Sequence, residues 1–370
     1  MTNTKNIDFG FVATAVGAPG ITDAEGYRGL MGDCEYNLGL GYSTIWMIEH
    51  HFSDYFPTPN PMGMLMNLAA RFPEAALGTC VVVTPWHNAL RFAEDVNQLA
   101  MLTDRPLHLG MGRGVAKAEY DAFSIEMDEA QTRFREIWEV VQHGMNGKKF
   151  SYDGEYIKVP KEVLLRPVLE QGRADTINFY GAIGSPDTAV RMADMGLPPM
   201  CTTIGNFESQ AQTITNWRNQ AFKNGMNVEG LRIPIMVNAI VADTDEEAIK
   251  ETKQWLPPFM QAQVDHYEGD KDNWQYLETY KAWSKIFAGM KDRCNPEAMP
   301  KWSEQQFVGS PETVIGRVQA YIDAGFDTFL VHTATPGVPN EPRRRWCKRF
   351  AEEVMPAFSG QVEVGLKLAS

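Results

Sequence analysis

The sequence predicts an α/β chain folded as a (β/α)8 TIM barrel with insertions, and three observations predict it. Eight short apolar segments alternate with longer amphipathic ones, the pattern of parallel strands joined by crossover helices. The first strand is not followed by a G-x-G-x-x-G turn, so an open dinucleotide-binding sheet lacks its usual mark. At 370 residues, 44% hydrophobic and 22% charged, the chain is long enough for one barrel with a substantial core.

The elements follow in order. Ile7–Val12 reads as the first strand and Ala24–Leu38 as the helix after it. Gly39 and Gly41 stop that helix and lead into a buried strand, Thr44–Ile48. Pro61–Arg71 is a helix capped by Asn60 with proline in its first turn. Leu77–Val83 contains three consecutive valines and is the third strand. Helix Leu90–Leu102, strand Leu107–Met111 and helix Glu129–Gly144 continue the series.

The rhythm breaks at 148–175, where Phe150–Ile157 around Asp153-Gly154 reads as an inserted hairpin or long loop. It resumes with strand Ile177–Ala182, helix Pro186–Met195, strand Met200–Thr203, helix Glu208–Asn224, strand Ile233–Val241 and helix Asp245–Trp255. A second insertion, irregular and rich in Pro, Trp and charge, spans 256–307. Helix Glu312–Ala324, strand Thr328–Val331 and helix Arg343–Met355 close a single domain, residues 1–370.

Composition excludes several function classes. A net charge of −13 argues against a nucleic-acid groove and against an anionic membrane surface. The local cluster Arg343, Arg344, Arg345, Lys348 and Arg349 reads as the polar face of the last helix. Five scattered cysteines without a C-x-x-C pair fit neither a disulfide framework nor a zinc site and suggest a reducing compartment. The N-terminus lacks a basic start with an apolar stretch, and no apolar run reaches 18 residues, so a soluble, cytoplasmic protein is expected.

In a barrel of this kind, reactive groups stand at the C-terminal strand ends. The second strand runs into Glu49-His50-His51, a carboxylate and two imidazoles suited to proton transfer near neutral pH. Adjacent residues of a strand end point to opposite sides, so the two histidines chelate poorly and no metal is expected. The fourth strand ends Met111-Gly112-Arg113-Gly114, where glycines allow close backbone approach and a guanidinium can meet a phosphate. The fifth ends Ala182-Ile183-Gly184, and Ser185-Pro-Asp-Thr188 opens the next helix, an N-terminus with two hydroxyls for an anion. Gly309-Ser-Pro-Glu-Thr313 repeats that phrase and reads as a plain cap. Together these ends suggest a phosphate-tailed cofactor lying across the barrel mouth.

Here the chain resembles the bacterial luciferase-like flavin monooxygenases, including the luciferase α subunit. The likeness rests on Trp46–Asp54, Leu77–Pro85, Glu94–Leu99, Gly110–Gly114 and Met192–Pro198, in order and at similar spacing, and on the Gly309–Val331 unit. The resemblance implies reduced FMN from a separate flavin reductase, O2 addition at flavin C4a, and oxygenation of a small apolar substrate such as an aldehyde or ketone. It implies His50 as the catalytic histidine with Glu49 beside it, and Arg113, Ser185 and Thr188 at the flavin phosphate. It further implies Met111, Gly112, Val115, Ala182 and Gly184 along the flavin, a cis Cys80–Val81 peptide under its ring, and a homodimer.

Three departures qualify the likeness. Gly112 replaces luciferase's reactive cysteine, Gln131 stands where a second phosphate-binding arginine is found, and Gly184 replaces an acidic residue. Nearby Arg133 is the candidate to make good the missing arginine. These changes argue against light emission more than against oxygenation. The alternatives are a deazaflavin (F420)-dependent oxidoreductase on the same fold and a non-catalytic flavin-binding subunit. The adjacent histidines favour the monooxygenase over the first, and His50 with Arg113 over the second. Paired carboxylates for a hydrolase are not found.

Overall fold

The structure, a computed structural model, describes residues 3–16, 20–170, 172–203, 206–268, 271 and 280–365. Its strands, numbered along the chain, are β1 (Asn3–Asn6), β2 (Asp8–Ala13), β3 (Thr44–Met47), β4 (Ala76–Val83), β5 (Leu107–Gly112), β6 (Phe150–Asp153), β7 (Lys158–Val163), β8 (Ile177–Ala182), β9 (Pro199–Thr202), β10 (Pro234–Val241), β11 (Phe307–Gly309), β12 (Thr328–His332) and β13 (Gln361–Val364). Parallel pairing runs β10-β12-β2-β3-β4-β5-β8-β9, and β9 pairs back to β10. That last ladder closes a (β/α)8 barrel. Its eight strands are the eight the alternation predicts.

Local chemistry accounts for the helices. Asn60 Oδ1 accepts the Gly63 N–H at 2.8 Å, and Pro61 occupies the first turn of helix Pro61–Arg71. Thr22 and Glu25 form a reciprocal capping box at the start of helix Asp23–Gly39. Apolar faces of the helices pack on the outward-facing strand residues, giving one large core between barrel and helical shell.

A second cluster, Val12, Trp46, Tyr180, Met200 and Leu330, fills the barrel's interior. Trp46 fits because its neighbours there are glycines. A Cβ on Gly10 would lie 2.7 Å from Trp46 Cδ1, and one on Gly78 would lie 2.5 Å from Trp46 Cε3.

The structure corrects several expectations. The hairpin's second strand starts at Lys158, where the sequence reading ended the hairpin at Ile157. The carboxylate of Glu136, reaching from helix Ala130–Met145, accepts the N–H groups of Glu155, Tyr156 and Ile157 at 2.6–2.9 Å and holds them in the connection. Residues 256–307 were read as irregular, yet their described part contains helices Pro257–His266, Lys281–Asp292 and Met299–Ser303. Residues 269, 270 and 272–279 of that segment lie outside the described residues, as does 171 in the first insertion.

Strand β11, helix Lys117–Phe123 and the antiparallel β1–β13 pair were not anticipated. The final helix ends at Arg349 and tightens into a π turn and a 3-10 turn through Phe358. Its basic cluster is committed to carboxylates: Arg343, which is buried rather than on the polar face, and Arg344 on Asp33, Arg345 on Glu251 and Glu341, Lys348 on Glu352, and Arg349 on Asp243 and Glu353. Among the described residues, no helix is long and apolar enough to cross a membrane.

Candidate active site

The C-terminal strand ends converge on a cavity of about 240 Å³ at the barrel mouth. Glu49 and His50 after β3, Cys80 and Val81 of β4, Gly112–Ala116 at the end of β5 and Ala182–Gly184 at the end of β8 all line it. The Cys80–Val81 peptide is cis, as the resemblance implies. Glycine is required beside it, because a Cβ at Gly112 would lie 2.6 Å from Val81 Cγ2. Tyr55, Phe56, Phe259, Met260, Tyr267 and Trp302 make the rest of the cavity largely apolar.

The adjacent histidines separate, as alternation along an extended strand end dictates. His51 Nε2 lies 3.1 Å from Glu49 Oε1, which His87 Nε2 also meets at 2.9 Å. Glu49 Oε2 accepts the Val83 N–H at 2.6 Å. Burial opposes ionisation of this carboxyl, but bonds from His51, His87 and Val83 outweigh it and hold its pKa below the ordinary value. Burial likewise disfavours charge on His87, and the Glu49 hydrogen bond and charge outweigh it, raising its pKa. Glu49 is therefore a fully engaged anchor in the cavity wall.

His50 turns instead toward helix Lys117–Phe123. Its Nδ1 is 3.5 Å from Glu119 Oε1, and its Nε2 is 3.3 Å from the Tyr267 hydroxyl. Glu119 also accepts the His51 N–H at 2.7 Å and lies 3.4 Å from His266 Nε2. His266 is pushed down to about 2, first by burial and then by His50 and His51.

A second cavity, of about 410 Å³, adjoins the first and shares Gly112, Arg113, Ala182 and Thr188 with it. Arg113 is held with its guanidinium 4.5 Å from the centre of the Tyr280 ring, and its carbonyl accepts from the Tyr120 hydroxyl. Ser185 Oγ caps helix Pro186–Asp194 by accepting the Thr188 N–H at 3.3 Å. Thr188 Oγ1 in turn accepts from Arg191 at 3.1 Å. Burial, then the charge of Arg113, lowers the pKa of Arg191.

The contrast with the repeated phrase is informative. At Ser310 the carboxylate of Asp245 accepts the Ser310 N–H at 2.7 Å and the Thr313 hydroxyl at 2.8 Å, so that helix start already has its anion. At Ser185 two guanidiniums border the helix's positive end instead. That is the charge arrangement of an anion site.

The structure thus brings His50, Cys80, Val81, Gly112, Arg113, Val115, Ala182, Gly184 and Thr188 to one continuous space. Ser185 stands behind Thr188 as the cap. Met111 departs from the reading. Its side chain packs into the shell core, because Gly112 takes the inward alternate position, and Met111 lines neither cavity. Arg133 departs too, bound to Glu129 at 2.7 Å and set over the Tyr156 ring, while Gln131 borders the second cavity.

Arg191, Glu119 and His266 were missed. A signal existed for Arg191, three residues beyond Thr188 and hence on the same helix face. Glu119 and His266 carried none, since each reaches His50 only across the fold.

Fold and site define a (β/α)8 barrel whose mouth joins a largely apolar chamber to one lined by three arginines and two aspartates. Residues 8–328 match the family model described as luciferase-like monooxygenase, and the chain belongs to that family. It is similar to the oxygenase component of a flavin-dependent trigonelline monooxygenase of Acinetobacter baylyi, 25% identical over 321 residues, 86% of each chain. It is also similar to an alkanal monooxygenase alpha chain of Photorhabdus luminescens, 24% identical over 324 residues, covering 85% of this chain and 87% of that one. Among solved structures, monooxygenase RslO1 from Streptomyces bottropensis superposes with a TM-score of 0.79 at 22% identity, covering 95% of this chain and all of that one. An F420-dependent secondary alcohol dehydrogenase superposes with a TM-score of 0.73 at 13% identity, covering 96% and 100%. These two likenesses concern the fold.

Proposed function

We propose that the chain is a monooxygenase that binds reduced FMN from a separate reductase and uses O2 to oxygenate a small apolar substrate such as an aldehyde or ketone. One observation carries the cofactor assignment. The Arg113 and Arg191 guanidiniums, the Thr188 hydroxyl and a helix N-terminus meet in a pocket, lined also by Arg135, Asp128 and Asp194, that is continuous with a largely apolar chamber. That donor set suits a phosphate, and the chamber suits a flat ring.

When bound, the flavin would supply the electrons that activate O2. The chain supplies the rest. Arg113, Arg191 and Thr188, with N–H groups of helix Pro186–Asp194, would hold the phosphate. Cys80, Val81, Val115, Ala182 and Gly184 would border the ring, and the apolar wall would exclude water. His50 is the proton group, working through Nε2 beside the Tyr267 hydroxyl. Glu49 anchors His51 and His87 rather than touching reactants. A homodimer belongs to this reading through the family likeness, and a cytoplasmic setting through the scattered, unpaired cysteines.

The test compares anaerobic titrations of the purified protein with reduced FMN and with F420. It then supplies NADH, a reductase, FMN and ¹⁸O2 to a panel of aldehydes and ketones. Binding of reduced FMN and one ¹⁸O atom in a product are expected. F420 binding with O2-independent hydride transfer would replace this reading with the dehydrogenase, and flavin binding with no product from any substrate would favour the inert subunit.

A further inference from the structure

We propose that His50, His266 and Glu119 form a binding site for a divalent transition ion such as Zn²⁺ or Co²⁺. The three side chains come from separate elements: the loop after β3, the end of helix Pro257–His266, and helix Lys117–Phe123. Their ligating atoms lie within 4.8 Å of one another. His266 and Glu119 are almost completely buried, with side chains 3% and 2% exposed.

The spacing separates a metal site from a hydrogen-bonded cluster. Charge-assisted N–H···O⁻ bonds measure about 2.7–2.9 Å. Here His50 Nδ1 and His266 Nε2 stand 3.5 and 3.4 Å from Glu119 Oε1, and both buried nitrogens make no hydrogen bond. Ligand atoms at about 2.0–2.1 Å from one tetrahedral ion are about 3.3–3.4 Å apart. One of the separations has that value and the other lies about 0.1 Å above it, so gathering all three atoms on one ion takes ring shifts on the order of 1 Å.

The outer contacts also suit ligation. His266 Nδ1 meets Ser53 Oγ at 2.7 Å, His50 Nε2 meets the Tyr267 hydroxyl at 3.3 Å, and Glu119 accepts the His51 N–H at 2.7 Å. Each ligand is thus oriented from behind, and the two converging nitrogens are free to present lone pairs. Two imidazoles and one carboxylate favour zinc, cobalt, nickel or iron over magnesium or calcium. Three protein ligands leave an open position for water. His50 and His51 point apart and do not chelate together; the second histidine of the set, His266, comes from the second insertion.

The test uses metal-free, flavin-free protein titrated with Co²⁺. One ion per chain is expected, with visible d–d absorption of a low-coordinate site, displaced by Zn²⁺. His266→Ala is expected to abolish the band. Ser53→Ala, which keeps all three ligands, is expected to weaken Co²⁺ about 10- to 100-fold and serves if His266→Ala does not fold. No band in the unaltered protein, an equal band in folded His266→Ala, or an unchanged affinity in Ser53→Ala overturns the site. None of these readouts involves flavin or turnover, so this inference and the proposed function fail separately.

Discussion

Replacing Arg191 with alanine tests the basic end of the site, where the structure departs furthest from the sequence reading. Arg191 donates to Thr188 Oγ1 at 3.1 Å and borders the same cavity as Arg113. A hydrogen bond to a charged group contributes about 1.5–3 kcal/mol. Arg191→Ala should therefore weaken FMN binding about 10- to 150-fold, measured by fluorescence or calorimetric titration. Riboflavin, which lacks the phosphate, should bind the altered and unaltered proteins alike. Without ligand, burial and then the charge of Arg113 disfavour charge on Arg191, which offsets the lost hydrogen bond to Thr188, so the substitution should change the melting temperature little. Arg113→Ala should show the same split between FMN and riboflavin. Equal losses for both ligands, or unchanged FMN affinity, would refute the assignment of this pocket to a phosphate.

Other expectations address different parts of the molecule. His50→Ala should bind FMN nearly normally yet lose product about 10²–10⁴-fold in a reductase-coupled assay, with a smaller loss for His51→Ala; equal activity of His50→Ala and unaltered protein would remove it from the site. Gly78→Ala should destabilise the barrel by about 1–3 kcal/mol in urea unfolding, because its Cβ would meet Trp46 Cε3 at 2.5 Å and the His108 carbonyl at 2.8 Å. The Glu49 network should stabilise most between pH 4.5 and 6.5. Its carboxyl is lowered from 4.5, so its contribution is present above that value and fades as pH falls through the lowered pKa. His87 is raised from 6.5, so its contribution is full below that value and fades as pH rises through the raised pKa. The melting-temperature difference between unaltered protein and Glu49→Gln should peak in that window, and a flat difference across pH would contradict the network.

The sequence by itself determined what depends on near neighbours in the chain. The eight barrel strands, the Asn60, Ser185 and Ser310 caps, and the grouping of histidines, glycines and Arg113 at strand ends were legible, because periodicity and capping are local. So was the separation of His50 from His51, which follows from alternation in extended chain. The tertiary structure decided which distant groups meet. Closure of β9 on β10 makes the strand ends one mouth. Pairing of β8 with β5 brings the helix that follows β8, Pro186–Asp194, to the second cavity and sets Arg191, not Arg133, beside Arg113 there. Two helices that sequence patterning did not reveal carry Glu119 and His266 to His50. His50 and His266 are separated by more than two hundred positions in the chain, and no local pattern records a contact that only barrel closure and helix packing create.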